Sequence, residues 1–429
     1  MDKNTLIQII EGEIERTTGC TDPVSIALTV SRAARELRGV PDKVEVTVSP
    51  NLYKNAINVG IPGTGKRGMV WAAALGAVID NSDAGLAILD AVDEATMRAA
   101  GELIEERRVD VGYDERAPDA LYIKATVSAG ADSAAAITMY DYANIVEVTR
   151  NGEQVFGADA ARTDEGQPVL TDCTVRELVA LIQTLGLEDL AFLVEAAEVN
   201  KEAALQGLRD EHLRLGPALS HDMQAEKPAS LASKAQALTA AASEARMLGL
   251  KVPVIAVTGS GNQGITDLLG VLSVAEDLQA CRADLARALA ISTVVTIYVK
   301  SLTRRMTSFC GAAVAASTGV AAATVYLLGG SYDDMQHAMQ SVVGTFAGML
   351  CDGAKESCAY KIGTAIPMAV QFARLALEGA YIPSGDGIVG NTIEETFAYL
   401  GQLNNPAMAE TDAFMLETIQ RIQKDRLHV

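Results

Sequence analysis

Val44, Val46 and Val48 alternate with Glu45 and Thr47, a two-residue period that predicts a half-buried β-strand. Leu121–Ser128 and Ala135–Asp141 read as further strands, and Ile145–Arg150 and Glu153–Phe156 flank Asn151-Gly152, a strong hairpin signal. Helical periodicity falls near Arg67–Ile79 and Ile88–Glu106. Residues 43–165 therefore read as an α+β unit with a mainly antiparallel sheet, closed by a polar stretch around 159–167. Ahead of it, residues 1–42 read as two helices broken at Thr18–Pro23. Thr21 or Asp22 is expected to cap the second, with Pro23 in its first turn.

From 166 to 429 the pattern is almost wholly helical. Thr174 and Glu177 form a capping box for a helix over Val175–Leu185. Long helices follow near Leu187–Leu215, Ser230–Leu248 and Ile265–Val299. Others fall near Gly311–Leu328, Tyr332–Phe346, Ala359–Leu377, Thr392–Leu400 and Glu410–Lys424, and one strand, Val252–Thr258, interrupts the series. The expected fold class is α+β: a small, mainly antiparallel sheet domain joined to a larger, predominantly helical domain over 166–429, with the N-terminal helices packing on the latter.

Composition narrows the function classes. Apolar residues make up 49% of the 429 positions but aromatics only 4%, which suits close-packed alanine-rich helices and not a base-stacking nucleic-acid binder. A net charge of −20 likewise argues against nucleic acid or an anionic membrane as partner. The uncharged run from Met306 to Tyr332 is long enough to span a bilayer, yet its Ala, Gly, Ser and Thr content reads as a helix buried in protein. Acids punctuate the amphipathic N-terminus, unlike a signal peptide, so a cytoplasmic location with reduced thiols is expected. Alanine-rich helices could also pack between subunits, compatible with a homo-oligomer.

Three of the six cysteines stand in glycine-rich surroundings, Thr307-Ser-Phe-Cys310-Gly-Ala-Ala and Met349-Leu-Cys351-Asp-Gly-Ala-Lys-Glu-Ser-Cys358-Ala-Tyr. Three thiolates can hold three irons of a [4Fe–4S] cluster and leave the fourth free as a Lewis acid. Spacing alone favours buried structural thiols over a metal centre. Gly60-Ile-Pro-Gly-Thr-Gly65-Lys66-Arg67 approaches a phosphate loop, but Arg67 replaces the metal-binding hydroxyl and Pro62 removes an N–H, so it reads as a strand-to-helix turn. Gly259-Ser-Gly261-Asn-Gln-Gly264 follows a strand and opens a helix, without the second parallel strand that a dinucleotide fold requires. Amides at that helix start suit a small anion such as an amino acid's carboxylate, with Ser260, Asn262 and Gln263 as side-chain partners; a plain tight turn is the alternative.

Together with Gly19-Cys20-Thr-Asp-Pro23 and Ser49-Pro-Asn-Leu-Tyr-Lys-Asn55, these segments resemble the iron–sulfur L-cysteine desulfidases from about Cys20 to Thr364. A more distant similarity runs to the α-chain region of iron–sulfur L-serine dehydratases, limited to the helical part. The resemblance implies a PLP-independent lyase with a [4Fe–4S] cluster, converting L-cysteine to pyruvate, ammonia and hydrogen sulfide. It makes Cys310, Cys351 and Cys358 the cluster ligands and Cys20 an additional active-site thiol, whose place ahead of a capped helix would favour a thiolate and proton transfer. Lys355 is an alternative base or carboxylate partner, and Asn51, Tyr53, Lys54 and Asn55 offer donors for the substrate's carboxylate or amino group. Cys173 and Cys281 match no motif and are expected to be structural; the four histidines form no ligand-spaced group. The Ser/His-rich loop associated with serine dehydratases is not apparent, which disfavours serine as principal substrate. The competing readings are a serine dehydratase-type ammonia-lyase and a non-enzymatic nucleotide- or ligand-binding protein.

Overall fold

The computed structural model describes residues 1–37, 39–158, 169–225 and 230–427, with side chains to residue 422. The expected polar stretch at 159–167 and His428 lie outside these residues. The chain starts with α1 (Lys3–Gly12), β1 (Ile14–Thr18), α2 (Thr21–Ala34), β2 (Lys43–Val48), α3 (Pro50–Ala56) and α4 (Met69–Val78). A 3₁₀ segment (Ser82–Ala91) leads to α5 (Glu94–Glu105) and the strands β3 (Val109–Tyr113), β4 (Tyr122–Ala129), β5 (Asp132–Met139), β6 (Ile145–Arg150) and β7 (Glu153–Gly157). Helices α6 (Val175–Gln183), α7 (Leu187–Arg209), α8 (Leu215–Ala225) and α9 (Ser233–Leu248) precede β8 (Pro253–Val257). After it come α10 (Gly261–Gly264), α11 (Gly270–Asp277), α12 (Arg282–Thr303), α13 (Ser317–Leu327), α14 (Tyr332–Phe346), α15 (Ser357–Leu377), α16 (Ile393–Gln402) and α17 (Ala409–Leu427).

The larger sheet has the order β3-β2-β4-β5-β6-β7, antiparallel throughout except for the parallel β2–β3 pair. Strand β2 buries its three valines and exposes Lys43 and Glu45, as the alternation predicts. Asn151 and Gly152 both take positive φ in the β6–β7 turn, the conformation that a two-residue hairpin of matching twist demands. Helix α2 packs against α4 and against β4 and β5, so it belongs to the core of the α+β unit. By contrast, α1 places Leu6 and Ile10 in the helical core, and β1 pairs antiparallel with β8. The N-terminal segment is thus shared between the two cores rather than resting on the helical one alone.

Several boundaries differ from the sequence reading for identifiable reasons. Residues 14–18 form a strand because their backbone partners lie far away in β8, a pairing that no local pattern announces. The cap of α2 is Cys20, not Thr21 or Asp22, and no side chain caps it; Pro23 does fall in the first turn. Asp93 forms a capping box with Thr96 and starts α5 afresh, splitting the helix expected over 88–106. Strand β3 was not anticipated. The expected helix over 187–215 stops at Arg209, and α8 begins a new one at Leu215, where Glu244 of α9 accepts the N–H groups of Arg214, Leu215 and Gly216. The helix expected over 265–299 breaks before Cys281, whose sulfur accepts the Asp284 N–H and caps α12. Cys281 is exposed.

The uncharged stretch does form a helix buried in protein: residues 312–325 are all buried. Among the described residues one helix, Arg282–Thr303, is long and apolar enough to cross a membrane, and 83% of its most apolar window is buried inside the protein.

Asp267 lies fully buried against the hydroxyls of Ser292 and Thr293. Burial outweighs those two hydrogen bonds and pushes its carboxyl up to about 7. The folded protein therefore holds this proton more tightly than the unfolded chain does. The associated stabilisation is complete below the ordinary carboxylate range and is lost as pH rises towards 7. Replacing Asp267→Asn is expected to flatten this dependence. Urea unfolding should show the variant gaining about 2–4 kcal/mol on the wild type between pH 4 and pH 8.

Candidate active site

Two backbone hydrogen bonds build the centre of the site. The Cys310 N–H donates to the Met349 carbonyl at 2.7 Å, and the Cys351 N–H donates to the Ser308 carbonyl at 2.8 Å, closing an antiparallel bridge between Phe309 and Leu350. The loop after Cys351 turns through Gly353 at positive φ and enters α15, which carries Cys358 in its first turn. All three cysteines are free thiols. Burial pushes the Cys310 thiol up to about 12, and the Cys351 and Cys358 sulfurs add to the rise, so the three sense one another's charge. Among the described residues no three His, Cys, Asp or Glu side chains are placed to share a single metal ion. A cluster does not ask for that, because it distributes its ligands over separate irons.

The setting of these thiols is cationic. Lys300 is buried and donates to the Arg305 carbonyl at 3.0 Å. Burial, with Arg305 second, pulls its ammonium down to about 7, while the Cys351 and Cys310 sulfurs oppose the fall. Lys361 bonds the Leu350 carbonyl at 2.7 Å and pairs with Asp352. Lys355 also pairs with Asp352, at 2.6 Å, and bonds its carbonyl. Held in that way, Lys355 is a paired, partly exposed cation rather than an available base.

Cys20 packs with Val59 and Met247, and Ala354 and Cys358 lie against the same small cluster. The resemblance's fourth cysteine is thus brought next to Cys358. Its expected thiolate character is not found. Burial pushes the thiol well above its ordinary range, the Asp22 carboxylate pushes it further, and Arg246 only partly opposes them. Desolvation outweighs the helix dipole because Cys20 is shut away from water. The thiol donates to Asp22 Oδ2 at 3.2 Å. Asp22 Oδ1 accepts from Asn55 Nδ2 at 3.3 Å and from the Tyr142 hydroxyl at 3.4 Å, and burial raises its carboxyl above the ordinary value.

Helix α3 sorts the proposed substrate donors by face. Asn51, Lys54 and Asn55 lie at helical spacing on one side. Asn51 Nδ2 and Lys54 Nζ both reach Asp412, at 3.0 and 2.5 Å, while Asn55 reaches Asp22. Tyr53 does not share that face; its ring stacks at a tilt on Tyr113, 5.1 Å between centroids. Gly353 holds the cysteine loop against this helix, since a Cβ there would stand 2.3 Å from the Lys54 carbonyl oxygen.

The glycine turn after β8 closes the other side. Ser260 caps the short α10, its hydroxyl accepting the Gln263 N–H at 3.4 Å. Asn262 Oδ1 accepts from Ser243 and its amide meets the Met247 sulfur at 3.7 Å. Gln263 Oε1 accepts from Thr258, and its amide packs where a Cβ on Gly311 would be 3.2 Å away. Gln263 therefore touches the residue after Cys310. The only strand paired with β8 among the described residues is the antiparallel β1, so no parallel sheet supports a dinucleotide here. Gly63 of the other glycine loop packs on Lys251, and Arg67 pairs with Glu356. Cys173 lies away from these groups, beside the N-terminal amine. Both helices leaving the site open with π-helical turns, Ile265–Leu269 and Ala312–Ala316, an irregularity frequent at functional sites.

Asp22, Tyr142, Arg246, Lys300 and Asp412 are missing from the sequence reading of the site. Asp22 was visible inside Gly19–Pro23 but read as a cap. The others stand alone in helices or turns with no motif around them, and only their contacts mark them out.

The serine dehydratase alpha chain family model matches residues 83–417. Full-length relatives extend the likeness to the rest of the chain. A UPF0597 protein of Methanocella arvoryzae is 52% identical over 420 residues, 98% of this chain and 99% of its own. One from Oleidesulfovibrio alaskensis is 37% identical, covering 96% of each chain, and one from Aeromonas hydrophila subsp. hydrophila is 34% identical, covering 98% and 97%.

The contact between Gly353 and α3 is testable by itself. Gly353→Ala adds a methyl at positive φ against fixed backbone, whereas Gly348→Ala adds one to open space. The first is expected to lower stability by about 2–4 kcal/mol and the second to change it little, as read by thermal or urea unfolding.

Proposed function

The chain belongs to the serine dehydratase alpha chain family, whose members are generally iron–sulfur lyases, and on that premise we propose that it eliminates hydrogen sulfide from L-cysteine. The observation that carries the proposal is the Phe309–Leu350 bridge, which joins the segments of Cys310 and Cys351; Cys358 acts electrostatically on Cys310 and packs beside Cys20, and this supports a shared site. Free thiols, mutual electrostatic contact and the neighbouring Lys300 and Lys361 fit a [4Fe–4S] cluster held by the three cysteines. When bound, such a cluster supplies a Lewis acid for the departing β-substituent.

The reaction breaks the α C–H and β C–S bonds and forms a carbon–carbon double bond. The resulting aminoacrylate gains a proton, and water converts it to pyruvate and ammonia. Cys20 is the proposed acceptor of the α-proton. In the resting protein its own proton sits on Sγ and points at Asp22 Oδ2. Transfer to that oxygen frees the sulfur, and burial of Asp22 makes its carboxylate a better acceptor than an exposed one. Arg246, bonded to the Gly19 carbonyl at 2.9 Å, favours the sulfur's charged form.

The wall beside Cys20 and Cys358 favours cysteine over serine. Val59, Met247 and Ala354 are apolar there, so a substrate hydroxyl would lose its hydrogen bonds to water for little return, whereas a thiol bonds weakly in either place.

Anaerobic reconstitution with iron and sulfide is expected to yield a coloured protein releasing sulfide from L-cysteine far faster than it makes pyruvate from L-serine. Preference for serine would select the dehydratase reading, and a colourless, iron-free product would sink both. Cys351→Ser is expected to lower bound iron as well as turnover. Cys20→Ser should keep the iron and its absorbance yet lower turnover by about a hundredfold or more, the usual loss for a proton-transfer group.

A further inference from the structure

Asp412, near the start of α17, accepts three hydrogen bonds. Lys54 Nζ donates to Oδ1 at 2.5 Å, and Asn51 Nδ2 and Ser308 Oγ donate to Oδ2 at 3.0 and 2.5 Å. Two donors come from α3 and the third from the turn that carries Cys310. Both carboxylate oxygens are satisfied by a cation and two neutral donors, an arrangement complete enough to recognise any carboxylate. Lys54 is only 3% exposed, so its charge requires a counter-ion in this position. The helix supplying that counter-ion has its principal contacts with α3 and the turn 403–407. It buries Met415 and Leu416 but leaves Phe414 65% exposed.

We propose that Lys54, Asn51 and Ser308 form the receptor for the substrate's α-carboxylate, and that Asp412 fills it in the resting protein as an internal latch. An entering amino acid replaces one carboxylate by another at constant charge, and α17 is released. The identity of the substrate rests on the lyase reading above; the exchange of carboxylates does not. Where the receptor is free in only a small fraction of molecules, apparent affinity falls by that fraction, and removing the latch restores it.

L-alanine is the appropriate probe, because it carries the α-carboxylate and amino group but no leaving group. Equilibrium dialysis against the anaerobically reconstituted full chain should show Asp412→Asn binding L-alanine roughly ten- to hundredfold more tightly than wild type. L-alaninamide should bind weakly and equally to both. In wild type, L-alanine should also speed hydrogen exchange across residues 409–422, and the amide should not. Equal or weaker binding by the variant, including no detectable binding by either protein, overturns the latch. If the variant fails to fold, the exchange measurement on wild type decides alone: unchanged or slower exchange overturns the proposal. Because L-alanine is not turned over, these results are independent of whether L-cysteine or L-serine is consumed. A chain inactive on both can still show the latch, and a cysteine lyase can still lack it.

Discussion

One short antiparallel bridge joins the two segments that hold the candidate site together. Without the pairing of Phe309 with Leu350, Cys310 would be a buried thiol at one helix start, and Cys351 and Cys358 would belong to an unrelated loop and the helix it enters. The bridge is made of backbone groups, so it sets no condition on side chains and leaves the cysteines free to face the site. Glycines make the surrounding approaches feasible. Gly353 lets the cysteine loop touch α3, and Gly264 lets the turn after β8 come within 2.0 Å, by a hypothetical Cβ, of the Ile255 carbonyl oxygen.

Burial then sets the electrostatics. Cys20, Asp22 and Tyr142 form a chain of hydrogen-bonded ionisable groups shielded from water, each pushed towards its neutral form chiefly by desolvation. Lys300 is displaced towards neutrality by the same cause. Lys54 follows another course and is paired outright with Asp412. Two solutions to one desolvation problem stand on neighbouring faces of the site, joined by α3 through Asn51, Lys54 and Asn55.

The two cores meet around this centre instead of operating separately. Helix α2 belongs to the α+β core but starts at Cys20, and β1 joins the helical side through β8. Tyr142, at the end of β5 and its turn, reaches from the sheet to Asp22 and lies where a Cβ on Gly259 would be 2.9 Å from its ring. A site at such a seam can combine rigid strand ends with helix starts, and its residues come from most of the chain's length.

Local periodicity was sufficient for most elements. The alternating valines of β2, the Asn151-Gly152 turn and the Thr174–Glu177 box each carry their own geometry within a few residues. The three later cysteines and the glycine turn were likewise legible, because unusual composition surrounds them. What local pattern could not convey was anything requiring a distant partner. Strand β1 depends on β8, β3 lies parallel to β2, and Asp412 acquires its meaning from residues more than a hundred positions away. Nor could sequence foretell the state of Cys20: a helix start argues for a thiolate, and only enclosure by Val59, Met247 and Asp22 reverses the balance. Torsional preference and side-chain periodicity are short-ranged and written residue by residue; desolvation and charge pairing exist only once the chain has closed on itself.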